Sequence, residues 1–242
     1  MIIWEKMKVI LINIILVVLL CFISCESSPT FSSWYNPWLD TNILQNMISL
    51  KEGEEPQIIT SSNIDNDFFN VLSNHYYCIG DTSFNGPDDD LTKDIKKQCQ
   101  QNGAMIALYS KSYTDTRSGI TGYGNYIGSY NIRRYDYIVY YFIPLPMEFQ
   151  YRLNFGIDAW EIPNNMREEI GRNTGAYVNV VYKNTPAFFA NILRNDVIIR
   201  INEYNINTYK NFYDILNTFN AGDELEVEFV RKDQNHITKV KL

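Results

Sequence analysis

The chain has 242 residues, a net charge of −7, 45% hydrophobic residues and 14% aromatic residues. This length suits one large domain or two small ones, and the apolar content excludes a wholly disordered chain. The acidic balance argues against non-specific binding to nucleic acid, so no nucleic-acid partner is expected.

Residues 1–24 are predicted to form a lipoprotein signal peptide. Two lysines precede the apolar run 9–23, which is shorter than the ~20 residues of a membrane span but suits a signal peptide. The sequence Phe22-Ile-Ser-Cys25 resembles the bacterial lipobox, in which the cysteine is acylated on sulfur and becomes the mature N-terminus. This resemblance implies lipidation of Cys25 and a location at the cell membrane or outer membrane, facing the periplasm or the exterior. An uncleaved anchor or a secreted protein is the alternative.

Residues 25–55 are predicted to be a tether, with a short helix over 40–50 and a charged break over 51–56. Four aromatic residues stand in an otherwise polar stretch: Phe31, Trp34, Tyr35 and Trp38. Such rings suit the headgroup level of a bilayer, but they can also pack on a domain surface. We favour the packing role.

Residues 56–148 are predicted to form a small α/β domain of unknown function. The predicted elements are a helix over 65–72, a strand over 76–79 ending at Gly80, a polar loop over 81–90, a helix over 91–101 ending at Gly103, a strand over 104–109, a glycine- and tyrosine-rich stretch over 112–128 and a strand over 135–145.

Several chemical motifs in this region are better explained by structure. The glycines from Gly122 to Gly128 have one residue too many for a dinucleotide fingerprint and precede a strand, so they predict a hairpin. The acidic run Asp88 to Asp90 lacks the alternating ligands of a calcium loop and suits a helix N-terminus. His75 and His236 lack zinc-site spacing. We therefore expect no cofactor, no metal and no catalytic residue.

The two cysteines of this region, Cys78 and Cys99, leave two alternatives open. In an exported protein they can form a disulfide, worth about 3 kcal/mol on the chain-entropy estimate. They can also be small buried apolar residues, since one is predicted in a strand and the other in a helix.

The C-terminal third has a regular order of elements. Its pattern predicts a strand over 177–182, a helix over 187–193 with Thr185 as N-cap and Pro186 at the first position, a strand over 197–201, a turn over 202–205, a helix over 209–219, and a final pair of strands beginning at Glu224 and Ile237.

Short motifs in that order carry a family resemblance. They are Thr185-Pro-Ala187, Ala190-Asn-Ile192, Asn195-Asp196, Ile201-Asn-Glu203 and Ala221-Gly-Asp223. Together they closely resemble a PDZ domain, nearest to those attached to bacterial trypsin-like periplasmic proteases. Three family glycines are replaced here, which we expect to weaken local turn geometry. The resemblance implies a PDZ-like, partly open β-barrel capped by two helices over residues 150–242, in a chain of the α+β class. The 56–148 region is similar to uncharacterised domains of other PDZ-bearing bacterial lipoproteins.

The resemblance also implies a peptide-binding site. A peptide would add as a strand beside 157–160 and pack against the helix that begins at Tyr209, with its carboxylate on backbone N–H groups of the loop at Gly156. A side chain at Gly156 is expected to obstruct the carboxylate and leave the fold intact. The predicted peptide-binding residues are Asn154, Phe155, Gly156, Ile157, Asp158, Phe212, Ile215 and Leu216. For the three helix residues, plain core packing is an equal alternative.

The sequence therefore predicts a membrane-anchored lipoprotein that binds peptide segments or C-termini of envelope proteins and is not an enzyme. About 95 residues between tether and PDZ-like region are too few for a two-barrel protease, and no Gly-x-Ser-x-Gly context occurs. Two alternatives remain: a scaffold lipoprotein whose PDZ-like groove is filled internally, and an accessory adaptor for a separate protease.

Overall fold

The computed structural model describes residues 30–39, 50–51, 53–123 and 126–242. The chain divides into two units between residues 35 and 36, and the described part of the first, 30–35, holds a short 3₁₀ helix, Phe31–Trp34. The predicted signal peptide, the lipobox with Cys25 and nearly all of the helix predicted over 40–50 lie outside the described residues. Within the described ranges, no helix has the length and apolar character needed to cross a membrane.

The elements alternate between strands and short helices. In chain order they are β1 (Tyr35–Pro37), β2 (Gln57–Thr60), α1 (Ile64–Ser73), β3 (Tyr76–Pro87), α2 (Thr92–Asn102), β4 (Ile106–Tyr123), β5 (Tyr126–Pro144), a 3₁₀ helix (Met147–Leu153), β6 (Ile157–Trp160), α3 (Asn164–Glu169), β7 (Ala176–Val181), α4 (Pro186–Phe189), β8 (Val197–Ile201), β9 (Tyr204–Asn205), α5 (Tyr209–Leu216), β10 (Glu224–Arg231) and β11 (Gln234–Lys241).

The N-terminal sheet has the strand order β1-β3-β5-β4-β2. Strands β3, β4 and β5 are antiparallel neighbours, whereas β2 runs parallel to β4. Alternate residues of β5, namely Tyr137, Val139 and Tyr141, are fully buried, as expected for a strand with one face on a core. Helix α1 packs on the sheet through Val71 and Phe68, which join Leu108 and Phe142 in one apolar cluster.

The strands of this sheet are longer than the sequence analysis predicted. Strand β3 continues through the predicted loop 81–90 as far as Pro87, paired with β5. Its polar residues conceal an alternating pattern, because Thr82 is fully buried and donates or accepts a hydrogen bond with the Tyr141 hydroxyl at 3.1 Å. The predicted glycine-rich hairpin is confirmed in its strands, since β4 and β5 pair from Ile106↔Phe142 to Tyr123↔Tyr126. Its turn, 124–125, lies outside the described residues.

The C-terminal sheet has the order β11-β10-β8-β7-β6, with β9 paired to β8. It is open, with β6 and β11 at its edges, so the predicted open barrel is confirmed. Its core gathers Phe155, Ile157, Phe212 and Leu225 with other apolar residues of the strands and of α5.

Two details of the α4 region correct the sequence analysis. Helix α4 ends at Phe189 rather than at 193, although Pro186 does occupy the first turn. The Thr185 side chain does not cap the helix. Instead, its hydroxyl donates to the Tyr182 carbonyl at 2.6 Å, which ties the end of β7 to the start of α4.

The two sheets share an apolar junction. Buried Leu145, Val180 and Tyr182 pack there against Leu72 of α1 and Phe149 of the 3₁₀ helix. Polar contacts surround this cluster: the Lys183 N–H donates to the Ser73 carbonyl at 2.8 Å, and His75 Nε2 lies 2.9 Å from the Lys183 carbonyl.

Candidate functional site

The candidate site is the outer edge of strand β6, which pairs with no further strand among the residues that the structure describes. On its inner side β6 pairs with β7, and the Tyr182 N–H donates to the Gly156 carbonyl at 2.9 Å. On its outer side the strand faces helix α5, with the Ile157 carbonyl and the Ala159 N–H pointing toward that helix. A sheet edge with accessible backbone groups is a template for an additional strand.

One side chain of α5 already contacts this edge. The Tyr213 hydroxyl accepts a hydrogen bond from the Ala159 N–H at 3.0 Å and donates to the Ile157 carbonyl at 3.4 Å. Burial raises the pKa of Tyr213 above its ordinary value, so the hydroxyl stays protonated and can donate and accept at once. Tyr213 therefore stands where the backbone of an added strand would pair.

The sequence analysis predicted Phe212, Ile215 and Leu216 of this helix as peptide-binding residues, but not Tyr213. Helical periodicity identified it only as one of several apolar positions in the helix that begins at Tyr209. The contact joins residues 54 and 56 positions apart in the chain, and no local pattern signals such a pairing.

Two cavities flank Tyr213 along the groove between β6 and α5. The first has a volume of about 510 Å³ and lies beside the Gly156 loop. Its walls include Asn154, Phe155, Tyr213, Leu216, Asn217 and Phe219. The second, of about 710 Å³, lies toward the far end of β6. Its walls include Arg152, Asp158, Trp160, Tyr209, Lys210 and Tyr213.

The predicted site residues divide between these cavities and the core. Asn154, Phe155 and Leu216 line the first cavity, and Asp158 lines the second. The Ile157 side chain is fully buried, and only its backbone faces the groove.

The other two predicted helix residues lie away from the cavity walls. Phe212 is fully buried and packs edge-on against Phe155, with ring centroids 5.4 Å apart. Ile215 is partly buried and packs against the same core.

Gly156 is constrained by the fold itself. Its φ of +106° lies in the left-handed region, and a Cβ built there would lie 1.9 Å from Thr185 Oγ1. Its N–H donates to the Arg152 carbonyl at 2.8 Å. The expectation that a side chain at 156 would leave the fold intact is therefore wrong, because the space beside Gly156 is filled by Thr185.

A buried ion pair closes the wall of the second cavity. Arg152 Nη1 lies 2.8 Å from Asp158 Oδ1, and Trp160 Nε1 donates to Asp158 Oδ2 at 2.9 Å. Burial raises the pKa of Asp158, although the Arg152 charge acts in the opposite direction. The guanidinium also lies over the Phe149 ring, 4.6 Å from its centroid. Both residues of the pair line this cavity.

The remaining candidate residues of the sequence analysis are held by contacts within the fold. Cys78 and Cys99 are both free and buried, so the disulfide alternative is wrong. The His236 ring stacks on Phe229 at 5.4 Å. Asp90 accepts from the Thr92 N–H at 3.0 Å at the start of α2, whereas Asp88 pairs with Lys111. Among the residues that the structure describes, no three or more His, Cys, Asp or Glu are grouped to hold a metal ion.

Comparison with known proteins agrees with this architecture. The family model described as PDZ domain matches residues 156–242, which is less than half of the chain. The C-terminal sheet with its helices is thus a PDZ domain. The comparison with curated proteins yields no match.

Some solved structures are similar to part of the chain. The HtrA3 PDZ domain bound to a phage-derived ligand (FGRWV) is 21% identical, with a TM-score of 0.32, over 36% of this chain and 81% of that chain. The HtrA-type protease AlgW with a decapeptide is 16% identical, with a TM-score of 0.34, over 51% of this chain. The match covers 40% of the AlgW chain.

Proposed function

We propose that the PDZ domain of this chain binds the C-terminal segment of a partner protein as an additional strand on β6. The observation that supports this most directly is the groove between β6 and α5, with a cavity on each side of Tyr213. A peptide backbone would pair with the Ile157 carbonyl and the Ala159 N–H, which point away from β7. Strand addition takes its affinity from such main-chain hydrogen bonds.

The first cavity suits the terminal residue of the peptide. It combines the apolar rings of Phe155 and Phe219 with Leu216, and Asn154 and Asn217 stand beside them. An apolar terminal side chain would fill the space, while the side-chain amides of Asn154 and Asn217 would receive the carboxylate, because the Gly156 N–H already donates to Arg152. We expect affinity to be micromolar, about 8 kcal/mol.

Peptide binding requires the Tyr213 hydroxyl to leave the strand edge. Its two hydrogen bonds, at 3.0 and 3.4 Å, occupy the backbone groups that a peptide would use. Each such bond contributes about 0.5–1.5 kcal/mol net. Tyr213 therefore acts as a weak internal competitor that lowers affinity and leaves the groove usable.

The experiment is a fluorescence polarisation screen of the full chain with a library of C-terminal peptides. Peptides with a free carboxylate are expected to bind, and the same peptides with a C-terminal amide are expected to bind much more weakly. Tyr213→Phe removes the competing hydroxyl but keeps the ring, and is expected to increase affinity about 5- to 150-fold, the sum of the two hydrogen bonds. Asn217→Phe, which narrows the first cavity from an exposed helix end, is expected to reduce it.

A second candidate function is a scaffold whose groove is filled internally, and the contact of Tyr213 with β6 favours it specifically. This alternative predicts that no peptide binds either the native chain or Tyr213→Phe. It also predicts that loss of the hydroxyl only lowers stability. Binding by the variant alone would instead identify Tyr213 as the element that closes the groove.

We further propose that the chain is a lipoprotein held at the cell envelope by acyl chains on Cys25, and that it is not an enzyme. Support comes from the lipobox-like sequence Phe22 to Cys25. Cys25→Ser is expected to abolish acyl labelling and to release the protein from membranes. Stable anchoring needs more than one acyl chain, and the variant would lose the residue that carries them. Unchanged palmitate labelling of the variant would contradict lipidation. An adaptor for a separate protease is compatible with both proposals and would appear as a protease captured by crosslinking.

A further inference from the structure

The long hairpin of the N-terminal sheet extends beyond its neighbours. Strand β2 pairs with β4 only as far as Tyr109, and β3 pairs with β5 only as far as Arg134. From the pair Thr116↔Arg133 outward, the described residues of β4 and β5 pair only with each other. We call these described residues, 116–123 and 126–133, the hairpin arm.

The arm has a charge opposite to that of the chain. The whole protein carries 28 acidic residues and a net charge of −7, but the stretch 116–133 contains two arginines and no Asp or Glu. Asp115 lies 3.7 Å from Arg117 with both side chains more than half exposed, and the Arg133 charge acts on the exposed Asp88 carboxylate. An exposed pair of this kind is weak, so Arg117 stays available to another anion.

One face of the arm carries two strongly exposed isoleucines. Ile120 and Ile127 are 79% and 83% exposed, the highest values of any large hydrophobic residue in the described part of the chain. They share a face, because Ile120 is opposite Ser129 and Ile127 is opposite Gly122 in the ladder. The other face carries Tyr130 and Ile132, which are 44% and 42% exposed. Tyr130 lies over Gly119, where an added Cβ would meet the tyrosine hydroxyl at 2.5 Å.

The two arginines stand at one level, further from the tip than the isoleucines. Arg117 pairs with Ile132 and Arg133 with Thr116, which are adjacent rows of the ladder. At ~3.3 Å per residue, Arg117 is about 10 Å along the strand from Ile120. Apolar groups of interfacial segments reach about 5–10 Å into the boundary between headgroups and acyl chains. Arg133 shares the face of the isoleucines, whereas Arg117 projects from the opposite face of the two-stranded arm. Arg133 would then reach the phosphate layer directly, and Arg117 by bending its long stem around the open edge of the arm.

From this arrangement we propose that the hairpin arm docks on an anionic lipid bilayer. Ile120 and Ile127 enter the boundary of the acyl region, and Arg117 and Arg133 contact lipid phosphates. Charge complementarity favours lipid over a second copy of the chain, because two arms meeting tip to tip would bring four arginines together. Docking is independent of peptide binding and of acylation at Cys25.

The test is hydrogen exchange of the full chain, measured by mass spectrometry on peptides covering 112–135. Exchange is compared without vesicles, with neutral phosphatidylcholine vesicles and with vesicles containing 30% phosphatidylglycerol. Docking is measured on these peptides alone, because the apolar stretch 9–23 can associate with both vesicle types and total binding of the chain would not report on the arm. Anionic vesicles are expected to slow exchange of these peptides at least about tenfold, and 0.5 M salt is expected to reverse this, because it screens exposed charges.

Two double variants separate the contribution of the arginines to docking from that of the isoleucines. Arg117→Gln with Arg133→Gln is expected to abolish the protection by anionic vesicles, and Ile120→Ser with Ile127→Ser is expected to reduce it. Unchanged exchange in β10 and β11 serves as the folding control. The proposal is overturned if neutral vesicles protect the arm equally, if no vesicle protects it, or if protection without vesicles rises with protein concentration, which would indicate self-association.

Discussion

At the scale of single residues, Gly156 and Gly222 offer a matched pair. Their φ angles are +106° and +98°, but a Cβ at Gly222 would meet nothing within 4 Å, whereas one at Gly156 would strike Thr185. The left-handed backbone costs a non-glycine residue about 1–2 kcal/mol. Steric overlap in a packed region adds about 1–3 kcal/mol.

We therefore expect Gly156→Ala to lower the free energy of unfolding by about 2–5 kcal/mol, as the sum of strain and overlap. Gly222→Ala is expected to lose only the strain contribution, about 1–2 kcal/mol. Urea denaturation followed by circular dichroism measures both. Equal losses in the two variants would show that Thr185 moves aside without cost.

The two buried thiols lead to a prediction about reactivity. Burial raises the pKa of Cys78 and of Cys99 to about 12, from an ordinary value of 9.0. Because the thiolate is the reactive form, alkylation by iodoacetamide at pH 8 is expected to be on the order of a thousandfold slower than for an exposed cysteine. Peptide mass mapping should show both residues unlabelled in the folded protein and labelled in urea. Rapid labelling of either in the native protein would contradict this burial.

At the scale of elements, the turns of the PDZ domain retain their geometry without the family glycines. Asn191 and Asn195, which occupy two of those glycine positions, adopt φ angles of +57° and +75°. Asparagine tolerates this left-handed region better than other side chains do. The expectation that the replacements weaken turn geometry is therefore not met at these two turns, although Glu203 replaces the third glycine without adopting positive φ.

Asn191 allows a clean test because its side chain is exposed. Asn191→Ala is expected to lower the free energy of unfolding by about 1 kcal/mol through backbone strain. Asn191→Gly is expected to cause almost no loss, because glycine adopts positive φ freely. The control is Asn217→Ala, at an exposed residue with φ −67°, expected within about 0.5 kcal/mol of the native protein. If Asn191→Gly loses as much unfolding free energy as Asn191→Ala, the effect comes from removal of the asparagine side chain and not from backbone strain.

At the scale of the whole molecule, the junction between the sheets predicts cooperative unfolding of residues 36–242. Tyr182 is 3% exposed and packs against residues of α1 and of the 3₁₀ helix. Nearby, the Arg194 guanidinium lies 3.3 Å from the centroid of the Phe69 ring. Apolar and cation–π contacts of this kind couple the stability of the two sheets.

We expect Tyr182→Ala to lower the free energy of unfolding by about 3–5 kcal/mol, the usual loss for truncation of a buried aromatic residue. Both sheets should be affected together. Native-state hydrogen exchange checks this, because amides of β5 and of β10 should lose the same protection. Faster exchange in β10 alone would show that the PDZ domain unfolds independently.

Local sequence patterns were enough to identify most helices and the order of the C-terminal elements. Apolar spacing placed α5, and Gly103 ends α2 in the left-handed conformation. These features depend on residues within a few positions of each other, where capping and side-chain periodicity act. The short motifs from Thr185 to Asp223 likewise carried the PDZ resemblance.

Features that join distant parts of the chain were decided only by the tertiary structure. Strand β3 extends through a loop-like sequence because β5 supplies its hydrogen-bond partners, and the two cysteines stay free in a buried environment. Tyr213 reaches the edge of β6, and Thr185 fills the space beside Gly156. Each of these depends on which backbone groups and side chains meet after folding. Since such contacts satisfy polar groups and fill space between residues far apart in sequence, no local pattern encodes them.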